Sequence, residues 1–113
     1  MDIEKLRDFC LSLEGTTEDL KWGDNLCFMI EEKIFVLCNL SEPLHVCVKV
    51  NVDDFDSITS RNGVQQAFHM AKRHWVSING FDAISPKLMQ EMILNSRALV
   101  LNKLPKKLQE RYK

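Results

Sequence analysis

Leu26-Cys27-Phe28-Met29-Ile30, Ile34-Phe35-Val36-Leu37-Cys38 and Leu44-His45-Val46-Cys47-Val48-Lys49-Val50 decide the fold. Glu31-Glu32-Lys33 separates the first two runs, a spacer short enough for a β-hairpin. Pro43 precedes the third run, which alternates cleanly. Leu44, Val46, Val48 and Val50 face one way, and His45, Cys47 and Lys49 the other, because side chains on a strand repeat every two residues. One face of the resulting sheet packs on helices, and the other is at least partly wet. The first two runs are apolar on both faces, so they call for some cover on the outer side as well.

Helical signals flank these strands. Asp2 is placed to cap a helix starting at Ile3, and Ile3, Leu6, Phe9, Cys10 and Leu13 recur at steps of three and four to give one buried stripe. Gly15-Thr16-Thr17 breaks that helix. A polar loop containing Glu18, Lys21, Trp22 and Gly23 follows. Beyond the third run, Asn51 or Asp53 caps a short helix through Phe55 and Ile58 that ends at Asn62-Gly63. Val64 to Met70 is ambiguous, whereas Trp75-Val76-Ser77-Ile78 reads as a strand closing at the Asn79-Gly80 turn. A hairpin with strands near 65–70 and 74–78 sets Lys72-Arg73 at or near its tip. Ser85-Pro86, a serine cap before a first-turn proline, announces the last long helix. Its inward face runs through Leu88, Met89, Met92, Ile93, Ser96, Leu99, Val100 and Lys103. Pro105 interrupts it, and residues 106–113 read as a frayed helical tail. The order α-β-β-β-α-β-β-α predicts a single α+β domain over 1–113, a two-layer sandwich with an antiparallel five-stranded sheet.

With 45% hydrophobic and 27% charged residues among 113, the chain has the composition of a globular domain rather than a disordered one. No apolar run approaches the ~20 residues that span a bilayer. The polar start, Met1-Asp2-Ile3-Glu4-Lys5, is unlike a signal peptide, so a cytoplasmic protein without membrane contact is expected. Cys10, Cys27, Cys38 and Cys47 lie far apart without a C-x-x-C pair, and each sits in an apolar pattern. Reduced, buried thiols are therefore expected. The net charge of −1 conceals an asymmetry: residues 1–60 carry 5 Lys/Arg against 13 Asp/Glu, and residues 61–113 carry 10 against 3.

His69-Met70-Ala71-Lys72-Arg73-His74-Trp75 concentrates the chemistry. His69 and His74 are five apart, which aligns them on neither a helix nor one strand face, and the nearest following carboxylate is Asp82. A metal is not expected there. No glycine-rich phosphate loop, G-x-S-x-G or H-E-x-x-H pattern is present, so neither an enzyme nor a cofactor is expected. Trp75 reads first as a strand residue of the core, and His69 and His74 as hydrogen-bonded strand residues. Lys72 and Arg73, beside His74, are suited to phosphates at a hairpin tip. Lys103, Lys106, Lys107, Arg111 and Lys113 offer a second basic strip.

The arrangement resembles the MmcQ/YjbR family nearly end to end. Leu13-Glu14-Gly15-Thr16-Thr17-Glu18 is similar to its L-P-G-x-x-E turn, Trp22-Gly23 to its aromatic-glycine step, and Lys33-Ile34-Phe35 to its K-x-F strand. Val48-Lys49, His69-Met70 with Arg73-His74-Trp75-Val76, Ser96, and Leu104-Pro105-Lys106-Lys107 continue the match in order. Glu14 replaces the usual proline, Arg97 the common aromatic after Ser96, and Asn51-Val52-Asp53 the D-P-E form. The resemblance implies a two-layer fold like that of secretion chaperones, and DNA binding through paired β-hairpin wings. The resulting expectation is a non-enzymatic, weak and largely sequence-independent DNA binder using Lys72, Arg73, His74, Lys103, Lys106, Lys107 and Arg111. The alternative is a protein-interaction module of secretion-chaperone shape, whose two-faced apolar strands offer a patch to a protein partner or a second copy.

Overall fold

A computed structural model describes residues 1–112. Lys113, counted above in the basic strip, lies outside the described residues. Helix α1 spans Ile3–Ser12 and is capped by the Asp2 carboxylate, which accepts from the Lys5 N–H at 2.9 Å. Strands follow at Thr16–Lys21 (β1), Asn25–Ile30 (β2), Lys33–Asn39 (β3) and His45–Lys49 (β4). A 3₁₀ turn over Val52–Asp54, capped by the Asn51 side chain, leads into α2 at Phe55–Thr59. Strands β5 (Val64–Gln66) and β6 (Trp75–Ile78) precede α3 (Pro86–Asn102) and α4 (Lys106–Gln109), with a 3₁₀ turn over Glu110–Tyr112. Ser85 caps α3 by accepting from the Leu88 N–H at 3.1 Å.

The fold is α+β with one antiparallel sheet in the order β1-β2-β3-β4-β6-β5. It has six strands rather than five, because Thr16–Lys21 is a strand and not a loop. The composition of this segment is polar because it is an edge strand. It pairs with β2 from Thr16↔Ile30 to Lys21↔Asn25, and Glu18 forms an ion pair with Arg7 of α1. Strand propensity was outweighed there by pairing, which a single sequence does not display.

The core lies between the sheet and α1 and α3. Leu6, Cys10, Met89, Ile93 and Val100 from the helices meet Phe28, Ile30, Val36, Cys38, Val46, Val48, Val76 and Ile78 from the sheet. The four cysteines are free and buried. Burial pushes the thiols of Cys10 and Cys38 up to about 12, since a thiolate there would lose its hydration.

One polar group is set into this core. Strand β3 carries a bulge: Phe28 pairs with Val36 but Met29 with Ile34, so Phe35 is the extra residue. The β3–β4 ladder ends at Val36↔Val48, and the next rung would join Phe35 to Lys49. The fully buried Ser96 hydroxyl fills that gap, donating to the Phe35 carbonyl at 2.6 Å and accepting from the Lys49 N–H at 2.8 Å. The small polar member of the α3 face thus completes a broken rung and satisfies two buried backbone groups.

The tail is docked rather than frayed. The Tyr112 hydroxyl donates to Glu31 at 2.8 Å and Arg111 pairs with the same carboxylate at 3.1 Å. The Tyr112 ring covers Gly15, whose φ of +77° favours glycine and where an added Cβ would come within 2.5 Å of the ring. Arg97 stacks over Tyr112 at 5.8 Å and donates to the Glu14 carbonyl at 2.6 Å.

Candidate functional site

The helices cover one face of the sheet. The other face presents Asn25 and Cys27 of β2, Ile34, Leu37 and Asn39 of β3, His45, Cys47 and Lys49 of β4, and Trp75 and Ser77 of β6, as the pairs Cys27↔Leu37, Leu37↔Cys47 and Lys49↔Trp75 require. The expected cover for its apolar middle comes from the segment between β5 and β6.

That segment is not a projecting wing. The strands are shorter than expected, 64–66 and 75–78, and residues 67–74 curl back over the sheet so that Phe68, His69 and Met70 border one space with Leu37 and Cys47. Left-handed backbone at His69 (φ 60°) and Arg73 (φ 66°) makes the return possible. Gln66 holds the two ends together: its amide donates to the Ala67 carbonyl at 2.9 Å, and its oxygen accepts from the Arg73 N–H at 2.8 Å. Arg73 adds an anchor, pairing with Asp56 at 3.0 Å and stacking over Phe55 at 5.0 Å. That pairing holds the Asp56 carboxyl below its ordinary range and raises the guanidinium.

Lys72 and Arg73 therefore sit at the base of the β6 side and not at a tip, and the Arg73 charge is engaged. His69 and His74 are exposed turn residues and not strand residues. Trp75 is half-buried on the open face beside Lys49, away from the helix-side core.

Two adjoining spaces form under this segment. The first is an aromatic cavity of about 590 Å³, bounded by Trp22, Leu37, His45, Cys47, Phe68 and His69. Trp22 and Phe68 are 73% and 79% exposed. The second is a groove of about 360 Å³ at the β2–β3 turn end of the strands, where Lys33, Lys49 and Lys103 surround Trp75 and Met70 with Glu32 as the single carboxylate. Ile34 and Met70 line both, so the two adjoin across these side chains. A wider depression of about 750 Å³ at the start of α3 sets Arg61 and Lys87 against Asp82 and Glu91 and has no field of one sign.

Of the expected contact residues, only Lys103 lines the groove. Lys106 and Lys107 are exposed on α4, between Lys103 and the point where Arg111 is tied to Glu31. Lys33 and Lys49 were missed as site residues, although Lys49 already stood on the wet face in the alternating pattern. Trp22 is legible in the sequence as a loop residue and as the aromatic of the aromatic-glycine step, and neither reading marks it as a site residue. Burial pushes the Cys47 thiol, on the cavity floor, up to about 11 against a hydrogen bond from Ser77. Among the described residues, no three His, Cys, Asp or Glu side chains converge to hold a metal ion. Among the described residues, no helix is long and apolar enough to cross a membrane.

The family model that matches the chain is YjbR, over residues 11–99. Among solved structures, the Deinococcus radiodurans protein DR2400, assigned to the domain family DUF419, superposes with a TM-score of 0.89 at 20% identity, covering 98% of this chain and 87% of that one. A Pseudomonas syringae protein is similar in its crystal structure (TM-score 0.76, 20% identity, 88% of this chain and 98% of that one). A Pseudomonas syringae solution NMR structure gives a TM-score of 0.73 at 20% identity, covering 88% and 92%. At that identity the likeness establishes the fold. No curated protein matches the chain.

Proposed function

From the premise that the chain belongs to the YjbR family, we propose that it is a non-enzymatic cytoplasmic DNA-binding protein whose contacts lie on the open face of the sheet. The observation that carries this reading is the convergence of Lys33, Lys49 and Lys103 on one groove with only Glu32 opposing them. Three lysines bordering one concave surface suit phosphate oxygens, and lysine acts on phosphate as a compact point charge. Lys72, exposed and outside the observed ion pairs, extends the footprint, with Lys106 and Lys107 at its margin. Arg73 and Arg111 contribute through the fold, by their pairs with Asp56 and Glu31, and His74 is exposed in the turn beside Lys72. The raised Cys47 thiol supports the non-enzymatic assignment, because a nucleophilic cysteine needs a lowered one.

Contacts of this kind are electrostatic and indifferent to sequence. With three or four phosphates neutralised, log affinity falls against log salt with a slope of about −3 on duplex DNA, and dissociation constants lie at roughly 10⁻⁴ to 10⁻⁶ M. Fluorescence anisotropy of a labelled duplex tests this. Binding at about 50 mM salt that disappears in the triple variant Lys33→Ala/Lys49→Ala/Lys103→Ala is expected. No binding by the intact protein at tens of micromolar, a level set by ~10⁻⁵ M affinity, refutes the reading.

The exposed Trp22 and Phe68 rings favour a second reading, a protein-interaction surface. Light scattering on a sizing column decides its homodimer form: a strict monomer at high concentration removes a second copy as the partner.

A further inference from the structure

The lysine groove suits phosphate, but the cavity beside it suits a flat ring. Trp22 and Phe68 border a space of about 590 Å³ while remaining 73% and 79% exposed, so neither ring serves the core. Trp22 also sits in left-handed backbone, at φ 48°, beside Gly23 at φ 86°. Glycine or asparagine adopts that conformation at less cost than a tryptophan. The Lys21 ammonium lies 5.9 Å from the centre of the Trp22 ring, but an exposed contact of that kind adds only about 0.5–1 kcal/mol and does not account for a bulky ring held at a disfavoured position.

Polar atoms lie around the same space. His45 has its Nδ1 at 3.3 Å from the Pro43 carbonyl, which leaves its second ring nitrogen uncommitted. The Asn39 amide donates to Asn25 at 2.9 Å and retains a further hydrogen. The sheet then sets the distance to the cations. Cys47 and His45, under the cavity, are two and four residues from Lys49 on β4, about 7 and 13 Å along the strand. A ligand that fills both spaces has a planar, hydrogen-bonding ring at one end and an anion roughly that far away. A nucleotide has this form. A base inside a duplex does not offer it, since its faces are stacked and its edge is paired.

We propose that the open face binds single-stranded DNA, with an unpaired base lodged between Trp22 and Phe68 and the flanking phosphates on Lys33, Lys49 and Lys103. This deepens the DNA-binding reading and rests on it. The aromatic faces supply stacking that every base accepts, and the lysines supply the sequence-independent attraction. The curled segment 67–74, stapled by Gln66 and Arg73, holds the Phe68 side of the cleft in place.

The test compares a labelled oligothymidylate with a duplex of equal length by anisotropy, and adds thymidine monophosphate as a competitor. The single strand is expected to bind at least about tenfold more tightly than the duplex, and Trp22→Ala and Phe68→Ala are each expected to weaken it about tenfold. Duplex binding should change less than about twofold in both variants, since phosphate contacts alone carry it. Trp22→Asn, suited to the left-handed backbone, should lose single-strand binding with its thermal melt retained. Equal binding of both DNAs, untouched by these substitutions, overturns the cleft while the phosphate reading stands. Absence of binding to either DNA removes both. Competition by the monophosphate as strong as by the oligonucleotide assigns the cleft to a free nucleotide and overturns the strand.

Discussion

Ser96→Ala isolates one hydroxyl that the fold depends on. The Ser96 oxygen is fully buried and is the partner of both the Phe35 carbonyl and the Lys49 N–H. Alanine leaves those two groups facing each other across the gap made by the bulge. Each orphaned buried group costs about 1–3 kcal/mol, and the better helix propensity of alanine returns about 0.5 kcal/mol. The space vacated by one hydroxyl is too small for a water molecule with its two to four partners, so solvent does not repair the rung. The net loss is roughly 1.5–5.5 kcal/mol, equivalent to about 6–23 °C in melting temperature for a domain of this size. Urea unfolding followed by circular dichroism measures it, with an unchanged m-value showing that the folded and unfolded states keep their exposed areas. A loss smaller than about 0.5 kcal/mol, the scale of an ordinary surface change, would refute the reasoning. Because Lys49 and Ile34 border the groove, the same variant should also weaken DNA binding at temperatures where it remains folded.

Gly15→Ala should destabilise by about 1–3 kcal/mol, because it forces a Cβ onto the Tyr112 ring at a left-handed position; in a Tyr112→Ala background, thermal melts should show part of that cost removed. Arg73→Ala and Lys72→Ala should separate a staple from a contact. The first releases Asp56 and speeds amide hydrogen exchange across 67–74, whereas the second leaves exchange unchanged and lowers the salt slope of DNA binding by about 1; the reverse pattern would restore Arg73 as the contact. Stability should fall as pH rises from 9 towards 12. Below 9 the thiols of Cys10 and Cys38 are neutral in both folded and unfolded chains. Above it the unfolded chain sheds their protons while burial withholds them in the fold until about 12, so unfolding is favoured by up to about 1.4 kcal/mol per pH unit for each thiol. Urea midpoints at pH 8 and pH 10 measure this, and Cys38→Ala should reduce the difference between them.

What was legible in the chain follows from periodicity. The stripe Leu6, Phe9, Cys10, the caps Asp2 and Ser85, and the alternation from Leu44 to Val50 are local signals, and the structure places each of them where those signals point. What was not legible depends on partners distant in sequence. Thr16–Lys21 is a strand through its pairing with β2, and the 67–74 segment curls over the sheet because of two left-handed residues and the Gln66 side chain. The candidate site suffered most. Counting charge by halves points to the basic end of the chain, whereas the groove takes Lys33 and Lys49 from the acidic half and Lys103 from the basic one, a meeting made only by the fold.

The cations divide by chemistry more than by position. Arg7 pairs with Glu18, Arg73 with Asp56 and Arg111 with Glu31, and Arg97 joins the Glu14 carbonyl to the Tyr112 ring. Four of the five arginines therefore act as staples between elements. Planar guanidinium groups suit that work, since they grip a carboxylate or carbonyl and stack on a ring together. The groove is lined by lysines, whose flexible, strongly hydrated ammonium groups gain little from a fixed surface partner and stay available to a mobile polyanion. Arg73, the cation that sequence patterning marks out beside two histidines and a tryptophan, is thus the one whose removal should act on DNA binding indirectly, by letting go of the segment that carries Phe68. Lys49 should act directly, because the alternation of β4 that buries Val46 and Val48 turns its side chain to the open face, where it borders the groove.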